Sequence, residues 1–171
     1  MSRTGAIGSS FEREWQRLMR EIAIDLSEEF DKNFERKSFF GTPWKRRIIG
    51  GRGSLLVASG RLRRSLRHSV TARYISWSSD APYAKIHNEG GEIEVTDKMR
   101  GWFWYMYSMT KLPIYKALGC KKVGDKIHIP QRQFIGDHRR VRQVIEQDAR
   151  EWIDEQLQRI AEDNNRGLRG I

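Results

Sequence analysis

The stretch Ser9–Arg36, SSFEREWQRLMREIAIDLSEEFDKNFER, decides the architecture at the amino end. Within it Phe11, Trp15, Leu18, Met19, Ile22, Leu26, Phe30 and Phe34 recur at spacings of three and four, which is one apolar stripe on a helix of period 3.6. Ser9 and Glu12 have capping-box spacing and predict a start near Ser10. Pro43 holds Thr42 out of the α region, so the helix ends before Gly41. About 26 residues at 1.5 Å each span roughly 39 Å, the width of a small domain. The carboxyl end repeats the pattern. Val141, Val144, Ile145, Ala149, Trp152, Ile153, Leu157 and Ile160 mark a buried face, with Asp137 as N-cap after the Gly136 break. Residues 164–171 read as a polar tail.

Between the two helices the period changes. Ser59 caps a short helix from Gly60 to His68, carrying Leu62 and Leu66 on one side. Alternation over Ser69–Trp77 predicts a strand. Ser78 to Pro82 is a turn, with Asp80 as the cap of a helix that Gly90 and Gly91 end. Ile93 and Val95 alternate with Glu92 and Glu94 in a second strand, and Ile127 and Ile129 with Lys126 and His128 in a third, closed by Pro130. Thr96 or Asp97 caps a helix whose inner face is Met99, Trp102, Phe103 and Met106. The expected class is α+β: long N-terminal and C-terminal helices packed on a small, mainly antiparallel sheet, with short extra helices. A chain of 171 residues is one domain's worth, here 1–163, with a flexible basic arm at about 41–58 built around Gly50-Gly51-Arg52-Gly53.

Charge narrows the partners. The net charge is +10, and no Asp or Glu occurs from Arg36 through Ser79. Lys45, Arg46, Arg47, Arg52, Arg61, Arg63, Arg64 and Arg67 in that stretch form a candidate patch for DNA or for an acidic neighbouring protein. The lone Cys120 excludes a disulfide framework within the chain. No apolar run approaches the roughly 20 residues of a membrane span.

Residues that could do chemistry do not assemble into a reactive set. His68, His87, His128 and His138 lack metal-ligand spacing, so neither a metal nor another cofactor is expected. His87-Asn88-Glu89 offers a base and a single carboxylate, short of what a metal-dependent nuclease needs, and a histidine hydrogen-bonded at a helix end accounts for it. Cys120 has no base partner in the pattern. These observations predict a protein that is not an enzyme. The run Gly101–Tyr107 has more aromatic surface than one helix face can bury, so Trp102, Trp104, Tyr105 and Tyr107 are candidates for a subunit interface.

Three stretches, in this order, resemble the phage virion morphogenesis (tail completion) family of Mu-like and related tailed phages. Leu56–Leu66 is similar to the family's Thr/Ser-Gly-x-Leu-x-x-Ser-Ile/Leu signature, through Ser59, Gly60 and Leu62. Tyr83–Gly91 resembles Tyr-Ala-x-x-His-Asn/Gln-x-Gly-Gly, through Tyr83, His87, Gly90 and Gly91. Ile129–Gly136 resembles Ile-Pro-x-Arg-x-Phe-Leu/Ile-Gly, through Pro130, Arg132 and Phe134. Conformational residues predominate in all three, as in structural joints, and Arg132 is placed to anchor on Glu89 or Glu92. The resemblance implies a virion protein, assembled in the host cytoplasm, that completes the tail or joins it to the head as a hexameric ring in the neck. It implies contacts with its own copies, with neighbouring neck, connector or tail-terminator proteins and with genome DNA in the lumen, and none with a membrane. An arm from Trp44 to Leu56, disordered in the free subunit, would order on assembly. The alternative from another class is a standalone nonspecific nucleic-acid-binding protein.

Overall fold

A computed structural model describes residues 3–47 and 55–169. The chain is α+β, with long terminal helices and short antiparallel ladders between them. Its elements are α1 (Arg3–Arg36), β1 (Ser38–Phe39), β2 (Thr42–Pro43), α2 (Arg61–Ser65), β3 (Leu66–Val70), β4 (Ile75–Ser79), α3 (Ala84–Glu89), β5 (Gly91–Glu94), α4 (Asp97–Thr110), α5 (Pro113–Gly119), β6 (Lys126–Ile129) and α6 (Arg139–Arg169). The strands form three two-stranded ladders, β1–β2, β3–β4 and β5–β6, in place of one continuous sheet. Two compact units result: Met1–Glu35 with Leu66–Ser78 and Ile135–Ile171, and Arg36–Ser65 with Ser79–Phe134.

In the first unit α1 and α6 run antiparallel. Glu14 pairs with Arg159 at 3.1 Å, Arg17 with Glu155 at 3.3 Å, and Glu29 with Arg140 at 3.9 Å, so positions ascend on one helix as they descend on the other. The stripe foreseen on α1 is the core here: Leu18, Met19, Ile22, Leu26, Phe30 and Phe34 are buried. Phe30 meets Trp77 edge to face at 5.3 Å. The Trp77 indole donates to the Ser27 hydroxyl at 3.0 Å, and that hydroxyl donates its single proton to the Ala23 carbonyl. The His68 Nδ1 at 3.0 Å from the same oxygen is therefore the donor in its pair.

Several local expectations are corrected. Helix α1 begins at Arg3 and not near Ser10, because continuing a helix through Ser9 and Ser10 adds a backbone bond per residue that a cap would forgo. The single strand over Ser69–Trp77 is a hairpin. Thr71 takes the amides of Arg73 and Tyr74 on its hydroxyl oxygen, and its own amide and hydroxyl both donate to the Tyr74 carbonyl, which closes a turn. The helix expected from Gly60 to His68 stops at Ser65, where β3 begins.

At α6 the residue before the first turn is His138, whose Nδ1 accepts the Arg140 amide, while Asp137 instead pairs with Arg142. The helix runs on through the expected polar tail to Arg169. Ile145, Ile153, Leu157 and Ile160 are exposed and not buried; only Val144 of that face is fully covered.

The second unit holds the β1–β2 turn, α2, α3, the β5–β6 ladder and the α4–α5 pair. Its apolar cluster is Phe103, Tyr115 and Leu118, with Met99, Met106, Tyr107, Ile114 and Ile127 against it. Thr96 caps α4 by accepting the Met99 amide at 3.2 Å, as its sequence position indicates. Trp102 is half exposed, with one side of its ring edge-on to Phe103 at 5.4 Å and to Tyr115 at 5.8 Å. Helix α5, begun by Pro113, had no sequence signal strong enough to be anticipated beside the aromatic run. Asp80 does not cap α3, whose N-cap position is Tyr83 with no side-chain cap bond; in the turn before it the Ser79 hydroxyl accepts the Ala81 amide at 3.1 Å.

Candidate functional site

Two of the three family-like stretches are bonded to each other, and the third meets them at a cavity. Helix α3 presents its carboxyl end to the segment after β6. The Arg132 amide donates to the His87 carbonyl at 2.7 Å, and the Phe134 amide to Asn88 Oδ1 at 3.0 Å. Gly90, at φ +75°, lies so close that a Cβ there would sit 2.9 Å from the Gln131 backbone nitrogen. Only glycine fits that approach. Phe134 is almost wholly buried, which seats the chain leaving the ladder.

Arg132 is buried, and its partners correct the expected anchor on Glu89 or Glu92. Nε donates to the Lys45 carbonyl at 2.9 Å, and a terminal nitrogen donates to the Arg46 carbonyl at 3.1 Å. Beside it the Trp44 indole donates to the Gln133 carbonyl at 2.6 Å, and Trp44 is itself buried. At the start of the expected arm Thr42-Pro43 pairs with Ser38-Phe39, and the Trp44 amide donates to the Lys37 carbonyl at 3.0 Å. Residues 48–54, including Arg52, lie outside the described residues.

The Leu56–Leu66 stretch supplies the opposite wall. Gly60, at φ +67°, leads into α2, and Ser59 accepts the Arg61 amide on its side chain and an Arg64 nitrogen on its carbonyl at 2.8 Å. A proton chain ties α2 to the turn before α3. Ser65 donates to the Leu62 carbonyl, so the Ser79 hydroxyl 2.6 Å away donates to Ser65.

These walls enclose a cavity of about 610 Å³. Ser59, Leu62, Tyr83, His87, Pro130 and Arg132, six of the residues singled out from the sequence, line it. The lining that sequence reading missed comes from Leu55, Leu56, Ala58 and Leu118 and from every residue of β6. Lys121 and Arg47 add positive charge, and no carboxylate occurs among the described lining residues. The alternation Lys126-Ile127-His128-Ile129 was the available signal; the loop residues had none, because only folding brings them there.

His87 sits in this wall with Nδ1 buried and lacking a hydrogen-bond partner, which corrects the expected hydrogen-bonded ring. Its edge meets the Tyr83 ring at 6.0 Å. Burial, and secondarily the Arg132 charge, pull its pKa below the ordinary value. Burial and the neighbouring Arg47 likewise lower the Arg132 guanidinium, which stays charged nonetheless.

The basic residues of the acid-free stretch are carried by several elements. Lys45 and Arg46 are exposed while their carbonyls hold Arg132, Arg47 lines the cavity, and Arg61, Arg63 and Arg64 stand on α2. Arg67 belongs to β3 in the other unit and donates to the Leu66 carbonyl. On α4, Trp102, Tyr105 and Met109 are 50%, 59% and 67% exposed along one helical line. Trp104 packs its indole over Gly119, where a Cβ would lie 3.0 Å from it, and Tyr107 is half-buried against the apolar cluster.

Among the described residues no group of three His, Cys, Asp or Glu side chains could hold a metal, and no helix is long and apolar enough to cross a membrane. No curated protein and no solved structure matches the chain. The sequence pattern of the phage virion morphogenesis family does match, over residues 4–154, a span that takes in nearly all of α1, all three stretches around the cavity and the first half of α6. The chain therefore belongs to the phage virion morphogenesis family.

Proposed function

We propose that this protein completes the tail of a tailed phage, or joins tail to head, as a ring of identical subunits in the neck of the particle. Family membership gives a structural role in assembling the virion. The observation that carries the finer reading is the outward line of Trp102, Tyr105 and Met109 on α4. Exposed aromatic and methionine side chains in a row are costly in water and suit the core of an interface between subunits. The conformational residues of the three stretches brace one joint, as a scaffold requires.

In a ring of six, +10 per subunit sums to roughly +60, a self-repulsion that needs an acidic neighbour or lumenal phosphates to offset it. Particle reconstruction with the symmetry determined at the neck tests the reading. The expected result is a closed ring of this chain, with α4 between subunits. Finished particles that lack the protein would overturn it. Substituting Arg61, Arg63, Arg64 and Arg67 together with glutamine weakens head–tail joining if these residues meet the acidic neighbour or the DNA. A standalone nucleic-acid-binding protein would instead bind free duplex with a steep negative salt slope and stay out of the particle.

A further inference from the structure

We propose that the cavity beside β6 is a docking site for an extended, acidic peptide segment of a partner protein, which adds to β6 as a third strand. The first observation is an open edge. Strand β6 pairs with β5 alone, in the register Gly91 to Ile129 and Glu94 to Lys126, and no third strand covers its far side among the described residues. Successive side chains of a strand point to opposite faces. Yet Lys126, Ile127, His128 and Ile129 all border the cavity, so the cavity runs along the strand's edge and not under one face. An added strand takes its affinity from backbone bonds to such an edge and its selectivity from pockets for its side chains.

Charge and polarity select the occupant. Leu55, Leu56, Leu62 and Leu118 offer apolar contact for alternate side chains. Lys121, Lys126 and Arg47 stand at the wall, and no Asp or Glu is among the described lining residues. Lys126 is bonded to Glu92 at 2.9 Å, but both side chains are more than half exposed, so the pair is weak and exchangeable for a carboxylate of the incoming strand. A peptide alternating apolar and acidic residues meets all three features. A basic segment would be repelled, and a nucleic acid would leave the strand edge unpaired. The site stands whether or not the protein sits in the neck.

The test uses the full chain and end-capped synthetic peptides that alternate valine with glutamate or valine with lysine. Binding is followed by anisotropy, and hydrogen exchange is read at residues 126–129. The glutamate peptide should bind at least about tenfold more tightly than the lysine peptide, and should slow exchange at those amides. N-methylation of its backbone on one edge should abolish binding; that control alters nothing in the protein. Lys121→Glu, with an unchanged melting temperature, should narrow or reverse the preference. Equal binding of both peptides, no binding of either, or indifference to N-methylation would each overturn the proposal. So would amides at 126–129 that are already fully protected without peptide, which would mean that the chain or a second copy fills the edge.

Discussion

The indole nitrogen of Trp44 donates to the carbonyl oxygen of Gln133 at 2.6 Å, joining positions 89 residues apart. One ring thereby ties the segment after β2 to the segment after β6. Arg132 repeats the link from the other side, so the two neighbours of sequence grip the same short run of backbone from residue 44 to residue 46.

Removing the indole should therefore cost more than its surface alone. Trp44→Phe keeps a buried ring but loses the bond, for about 1–3 kcal/mol. Trp44→Ala also leaves a cavity, for about 3–5 kcal/mol. Urea unfolding of the full chain measures both; a Trp44→Phe variant as stable as the parent would show the bond to be dispensable.

Arg132 binds carbonyl oxygens and not carboxylates. Arg132→Gln should cost roughly 1–3 kcal/mol, and the loss should be nearly the same at low salt and at about 0.5 M salt, because no ion pair is screened away. A deficit that shrinks markedly with salt would point back to Glu89 or Glu92 as the partner.

Three glycines should respond differently to the same methyl group. Gly90→Ala must hold a positive φ and drive Cβ into the Gln131 backbone at 2.9 Å, for roughly 2–4 kcal/mol. Gly41→Ala pays only for its φ of +97°, with nothing within 4 Å, at about 1–2 kcal/mol. Gly101→Ala, inside α4 with open space around it, should stabilise by up to about 1 kcal/mol. Thermal melts of the three variants give the order directly.

Titration of His87 gives stability a slope. Its folded pKa lies below the ordinary histidine value, so the unfolded chain binds this proton first as pH falls. The stability from the neutral buried ring is complete above the unfolded value and declines as pH drops from there through the folded pKa. Chemical unfolding at steps from pH 7.5 to 5 should show this decline, and His87→Phe should flatten it. An unchanged slope in the variant would assign the titration elsewhere.

Periodicity made the terminal helices legible. The stripe from Leu18 to Phe34 is the core of α1 because a helix repeats every 3.6 residues wherever it packs. The β5 and β6 strands and the Thr96 cap were equally readable, since alternation and a hydroxyl before the first turn are local signals. The hairpin at Thr71–Tyr74 was not, because a threonine in alternating sequence serves a strand or a turn with equal ease and packing chooses. The apolar line Ile153, Leu157 and Ile160 looked like core, but a stripe states only that a face is apolar and never that something covers it.

For the candidate site the division is similar. Sequence alone determined that glycines at 90 and 91 turn the chain, that Pro130 ends a strand, and that the middle is cationic, since backbone freedom and charge are properties of single residues. Only the tertiary structure decided that Arg132 holds the carbonyls of Lys45 and Arg46, that His87 is left without a partner on Nδ1, and that residues from 47 to 132 surround one cavity along the edge of β6. Those outcomes depend on which distant segments arrive together. Chain closure over tens of residues is set by the sum of the packing and not by any local pattern.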